Sequence, residues 1–153
     1  MSRVRSFLVA IALAGGLAGC EALQRSELPA ELAGPWVVQQ IAGAALGEGV
    51  DIYFAIDAEA GAMIGFTGCN RFSAPMSSFA GALAVGAIQE EPGQCNSAEA
   101  GTDEARFLGV LPAIQRYARR GASLEFLSAD HGEALLKLRV DNLATLTDAA
   151  ARH

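Results

Sequence analysis

The chain has 153 residues, 52% hydrophobic and 18% charged, with 11 basic against 17 acidic side chains and a formal net charge of −6. An acidic chain with no basic stripe or Arg-rich tail repels phosphate backbones, so no nucleic acid is expected as a partner. The length suits one domain with a real core and falls short of two.

Arg3 and Arg5 precede an apolar run, Phe7 to Leu17, broken only by small residues and glycine, the charge order of a secretory signal. The run is too short to cross a bilayer, which takes about 20 apolar residues. It closes on Leu17-Ala18-Gly19-Cys20, which resembles the bacterial lipobox, where the cysteine sulfur takes a diacylglycerol and the chain is cut just before it. A buried apolar helix can also end in Gly-Cys, but position, charge order and small residues agree on the lipobox. Residues 1–19 are therefore expected to be a lipoprotein signal peptide, and Cys20 the lipidated start of the mature chain. The first expected partner is the membrane, through that lipid: each buried methylene contributes about 0.8 kcal/mol, and stable anchoring takes more than one chain. Glu21 stands where aspartate marks inner-membrane retention, which favours the outer membrane facing the periplasm.

With Cys20 assigned to lipid, Cys69 and Cys95 remain as an even pair in an oxidising compartment and are read as a disulfide. The rival, a redox-active or metal-binding pair, lacks Cys-x-x-Cys spacing, and the histidines, His131 and His153, lie far along the chain.

Residues 20–34 are polar, without strand period, and contain Pro29; they read as a tether between lipid and domain. The domain is expected over 35–140. Its first strand is Trp36 to Ile41, ended by Gly43, followed by a hairpin of Asp51 to Ile56 and Ala62 to Thr67. Two glycines and an asparagine in Gly65-Phe66-Thr67-Gly68-Cys69-Asn70-Arg71-Phe72 imply special backbone angles around the cysteine. A loop at Ala74 to Ser78 and a weakly alternating strand at Ala82 to Ile88 come next. Thr102-Asp103-Glu104 reads as a helix start, and Phe107, Leu108, Leu111 and Ile114 as its apolar stripe, with Pro112 limiting the regular part. The chain returns to β structure near Tyr117. Leu124 to Leu127 and Ala134 to Val140 flank Asp130-His131-Gly132 as a final hairpin, and 141–153 reads as a tail.

Ser73, Ser77, Ser78 and His131 could nominally supply a nucleophile and base, but Gly-x-Ser-x-Gly is absent and His131 sits in a turn signal, so no catalytic residue is expected. Glu90, Glu91, Glu99, Asp103 and Glu104 read as solvated loop and helix-start acids without metal-ligand spacing; neither metal nor cofactor is expected. Arg116, Arg119 and Arg120 form a small basic cluster that could meet anionic headgroups or an acidic partner.

Trp36, the stretch Gly65 to Phe72 with Gly68, Cys69, Asn70 and Arg71 at its centre, Cys95, Glu104 with Phe107-Leu108, Tyr117, Gly121 and Asp130-His131-Gly132 together resemble the META/HslJ family. Relatives often carry threonine four residues before the second cysteine, where this chain has Glu91. The resemblance implies an α+β fold: a small curved antiparallel β-sheet packed with one main α-helix, often in bacterial secreted proteins or lipoproteins. Family members have been associated with heat shock, novobiocin resistance and trypanosomatid virulence, and the fold is reminiscent of a lipid-binding secretion pilotin. The function expected is a lipid-anchored, non-enzymatic periplasmic protein that binds or supports another envelope component. The alternative is a carrier or sensor with a hydrophobic ligand in a groove between sheet and helix.

Overall fold

Sequence alternation is plainest in the last strand, where Leu136 and Leu138 are buried and Lys137 and Arg139 exposed, the signature of a sheet with one face on the core. A computed structural model describes residues 27–130 and 134–141 of the chain. Its strands are β1 (Gly34–Ile41), β2 (Ala44–Ala45), β3 (Tyr53–Asp57), β4 (Ala62–Phe66), β5 (Arg71–Phe79), β6 (Ala82–Val85) and β7 (Gln89–Glu91). After helix α1 (Ala98–Val110) come β8 (Arg116–Arg120), β9 (Ser123–Leu127) and β10 (Ala134–Val140). All pairs are antiparallel, in the order β6-β5-β4-β3-β1-β10-β9-β8, with β2 on β1 and β7 on β5. The sheet curls until its two ends nearly meet: Leu83 N of β6 donates to Gln115 O, just before β8, at 2.8 Å. The expected α+β class, a curved antiparallel sheet with one main helix, is what the chain forms.

The concave face holds the core. A bulge between Val38 and Gln40 lets Trp36, Val38 and Ile41 all face inward despite their uneven spacing. Across the next strands the inward row is Trp36, Phe54, Gly65, Phe72. Gly65 is required there: a Cβ would stand 2.2 Å from Tyr53 O and 2.5 Å from Phe54 Cβ. The gap it leaves is filled by a ring cluster, Phe107 of α1 standing edge-on to Phe72 at 5.4 Å and 6.0 Å from Phe54. The space between sheet and helix is thus occupied by side chains rather than open for a ligand.

Several expectations need correction. The helix starts at Ala98, not Thr102: Ser97 is the N-cap, its hydroxyl accepting from Ala100 N at 3.1 Å, while Thr102 Oγ1 bonds back to Ala98 O. Ala74 to Ser78 is no loop but the middle of β5, with Ala74, Met76 and Ser78 buried and Pro75 and Ser77 exposed. Pro75 is tolerated because the neighbour on that side, Gly86, needs only its carbonyl, to which Gly86 N donates at 2.8 Å. β6 ends at Val85, and Gln89–Glu91 forms its own short strand. The end of the expected tether is folded: Leu28 and Leu32 are buried, a 3-10 turn spans Ala30–Leu32, and Trp36 Nε1 donates to Leu32 O at 2.9 Å. At the other end Asp141 is buried and its N–H donates to Pro35 O at 3.0 Å, so the domain runs one residue past the expected boundary. The signal peptide, Cys20, His131 with Gly132, and the tail beyond 141 lie outside the described residues.

Candidate functional site

The segment singled out in the sequence folds as a knot of mutual hydrogen bonds between β4, β5, β7 and α1. Thr67 N donates to Asn70 O at 2.9 Å and Asn70 N to Thr67 Oγ1 at 2.9 Å, closing a tight loop. Gly68 sits in that loop at φ +99°, a conformation L side chains rarely adopt. Cys69, at the loop's tip, turns inward, is 4% exposed, and forms a disulfide with Cys95. Asn70 clamps the segment leading to Cys95: its Nδ2 donates to Glu90 Oε1 at 3.1 Å and its Oδ1 accepts from Gly93 N at 2.7 Å. The hydroxyl of fully buried Thr67 donates to Glu104 Oε1 on α1.

Glu104 Oε2 lies 4.0 Å from Cys95 Sγ, and with Cys69 it forms the trio of metal-ligand residue types found together among the described residues. Both sulfurs are consumed in the disulfide, so the oxidised trio offers a cation only Glu104, one oxygen of which Thr67 already holds.

Of the acids read as solvated, Glu91 and Glu99 are exposed, whereas Asp103 and Glu104 dock the helix. Asp103 is 3% exposed; its Oδ2 accepts from Gly47 N at 2.6 Å and its Oδ1 pairs with Arg106 at 2.6 Å, while Arg106 also reaches Ile41 O at 2.7 Å. Adjacent helix positions point about 100° apart, so Asp103 pins α1 to the β1–β3 side and Glu104 pins it to the Thr67 loop. Sequence reasoning missed Thr67 and the docking roles of both acids; Glu90 it named without its partner Asn70. The available signal was Glu104, an acid with no basic side chain three or four residues further along its helix.

The arginine cluster is largely spent on structure. Arg116 donates to Ser128 O and Ala129 O. Arg119 stacks 4.9 Å over the Trp36 ring and donates to Glu31 O and Gly121 O. Tyr117 OH donates to the Glu31 carboxylate, a bond that raises the phenol above its ordinary value, with burial and the same charge adding to it. These contacts hold residues 28–33 against the domain. Arg120 is exposed. Of the nominal nucleophiles, Ser73 and Ser77 face outward from β5 and Ser78 faces the core, so they converge on no common point.

Two concavities open on the outside of the sheet. One, of ≈ 820 Å³, runs beside Tyr53, Phe66, Arg71 and Glu91, and contains the outer side of the Cys69 loop. Burial raises the Tyr53 phenol above its ordinary value there, opposed by Arg71. The other, of ≈ 720 Å³, lies beside Ala30, Ala33, Ala55 and Ile64.

Among solved structures, the chain is similar to a protein from Burkholderia xenovorans determined by NMR, with 19% identity and a TM-score of 0.58 over 93% of this chain and 99% of that one. A second NMR structure matches with 15% identity and a TM-score of 0.56, over 74% of this chain and 93% of the other. At these identities the likeness is one of fold. No curated protein matches the chain. The family model described as the META domain matches residues 30–142, which span the folded unit from the 3-10 turn before β1 to just past β10, and the chain belongs to the META domain family.

Proposed function

We propose that the protein is a lipid-anchored, non-enzymatic envelope protein, held through Cys20 in the outer membrane and facing the periplasm, whose META domain binds or supports another envelope component. Membership in the META domain family points to envelope association. The observation that carries the rest is how the motif is spent: Gly68, Cys69 and Asn70 close a turn, form a disulfide and clamp a neighbouring segment. A motif engaged in internal bonds builds a stable surface for recognition, whereas catalysis needs a group left free to reach substrate.

The test is complementation of a deletion strain with an envelope-stress or drug-sensitivity phenotype. Soluble Cys20→Ala protein and the His131→Ala variant are returned at equal abundance. The expected result is rescue by His131→Ala and failure by Cys20→Ala. Full rescue by the soluble form, with complete failure of a folded His131→Ala form, would point to an enzyme.

A further inference from the structure

The convex face of the sheet carries an apolar patch of partly buried side chains with Ala55 and Ile64 exposed at its centre. Cross-strand pairing places Val37, Tyr53 and Phe66 in one outward row and Pro35, Ala55 and Ile64 in the next. Ile64 is 59% exposed, unusual for a large aliphatic side chain in mid-strand. The Tyr53 and Phe66 rings lie 5.7 Å apart. The first row continues on both sides into exposed arginines, Arg139 beside Val37 and Arg71 beside Phe66. Acids stand around its margins: Asp51 near Tyr53, Glu90 and Glu91 beyond Arg71, Glu59 in the groove beside Ile64, and Asp57 at the end of β3, where its carboxylate already accepts from Glu59 N and Ala60 N.

An aliphatic and aromatic centre flanked by arginines matches the boundary between lipid headgroups and acyl chains. Tyrosine and phenylalanine partition to that layer, and guanidinium pairs with lipid phosphate. The route of the chain selects this occupant over a soluble one. Seven residue steps separate Cys20 from Glu27, a reach of at most about 25 Å. The chain then enters the domain at the border of this face: Leu28 and Leu32 turn into the core, while Ala30 and Ala33 line one groove with Ala55 and Ile64.

We propose that in the acylated protein the convex β3–β4 face rests on the bilayer, with α1, across the core, turned toward the periplasm. The inference rests on the lipid-anchor reading above: the acyl chains supply affinity, and this face supplies orientation.

The experiment uses the full chain, processed in a bacterium and reconstituted into vesicles of phosphatidylethanolamine and phosphatidylglycerol, with and without bromine on the acyl chains. Two tryptophan reporters are compared on the common background of buried Trp36: Ile64→Trp on the patch and Ala105→Trp on the exposed side of α1. Bromine quenches only at near contact, and interfacial docking places the patch ~5–10 Å deep, so Ile64→Trp emission should fall roughly two-fold more than Ala105→Trp emission. Equal quenching, in protein that carries acyl mass on Cys20, overturns the docking and leaves the anchor standing. Shielding of the Ile64→Trp reporter from an aqueous quencher without bromine quenching assigns the face to a protein surface instead, and also overturns it. Protein without acyl mass on Cys20 overturns the anchor reading and this inference with it.

Discussion

Replacing both disulfide partners, Cys69→Ala with Cys95→Ala, should weaken the domain by a calculable amount without unfolding it. The bond closes a separation of 26 residues, for which the chain-entropy relation gives about 3.5 kcal/mol of destabilised unfolded state at 25 °C. Alanine suits position 69, which is in the core cluster, because serine would bury a hydroxyl. The native state keeps its other ties to α1, namely the Phe107 ring contacts, the Asp103 bonds to Gly47 and Arg106, and the Thr67 to Glu104 bond. Since small domains are stable by about 5–15 kcal/mol, a loss of this size leaves the native state favoured. Trp36 is the lone tryptophan and 1% exposed, so its emission reports global unfolding. At a urea slope of about 2 kcal/mol per molar, the midpoint should fall by about 2 M. A shift under about 0.5 M would mean that loop closure contributes little here. Loss of the native Trp36 signal in plain buffer would mean that the knot around Thr67 cannot form without the bond. Either result refutes the reasoning.

Two glycine-to-alanine changes should move stability in opposite directions: Gly65→Ala should cost about 3 kcal/mol or more, because the clash is with strand backbone that cannot rotate away. Gly109→Ala, on the exposed side of α1 with open space around it, should add about 0.5–1 kcal/mol; urea midpoints of the two variants check both signs. The Tyr117 pKa is raised in the folded state, so its contribution is complete below the ordinary phenol value near pH 10 and is lost as pH climbs through the folded value. Wild type should therefore lose more stability than Tyr117→Phe in thermal unfolding as pH is raised above about 10, and parallel curves would show that the Glu31 bond does not differ between folded and unfolded chains.

How much the sequence disclosed depended on contrast between neighbouring positions. β9 and β10 were legible because leucine and phenylalanine alternate with charged or polar residues. The middle of β5 was not, since its inward set includes Ala74 and Ser78 and its outward set includes Pro75, so neither face announces itself. The helix start was misplaced because Thr102-Asp103-Glu104 offers a stronger local cap signal than Ser97. What Asp103 and Glu104 serve is tertiary docking, at separations of 56 and 37 residues that no local pattern encodes. At the motif, the pairing of Cys69 with Cys95 was expected from counting cysteines. The clamp from Asn70 to Gly93 was not foreseeable, because it depends on β7 lying beside β5.

The near-closure of the sheet between Leu83 and Gln115 constrains what the domain can do in a crowded compartment. Open strand edges invite other chains to add a strand, the usual start of aggregation and also a common route to peptide capture. Here the two terminal strands face each other across that hydrogen bond, and the flanking β7 has three exposed residues, two of them glutamates. Main-chain capture of a passing peptide is thereby discouraged at these edges. If the domain binds a partner as proposed, this closure favours broad, shallow contact through side chains on its faces over threading of an extended segment.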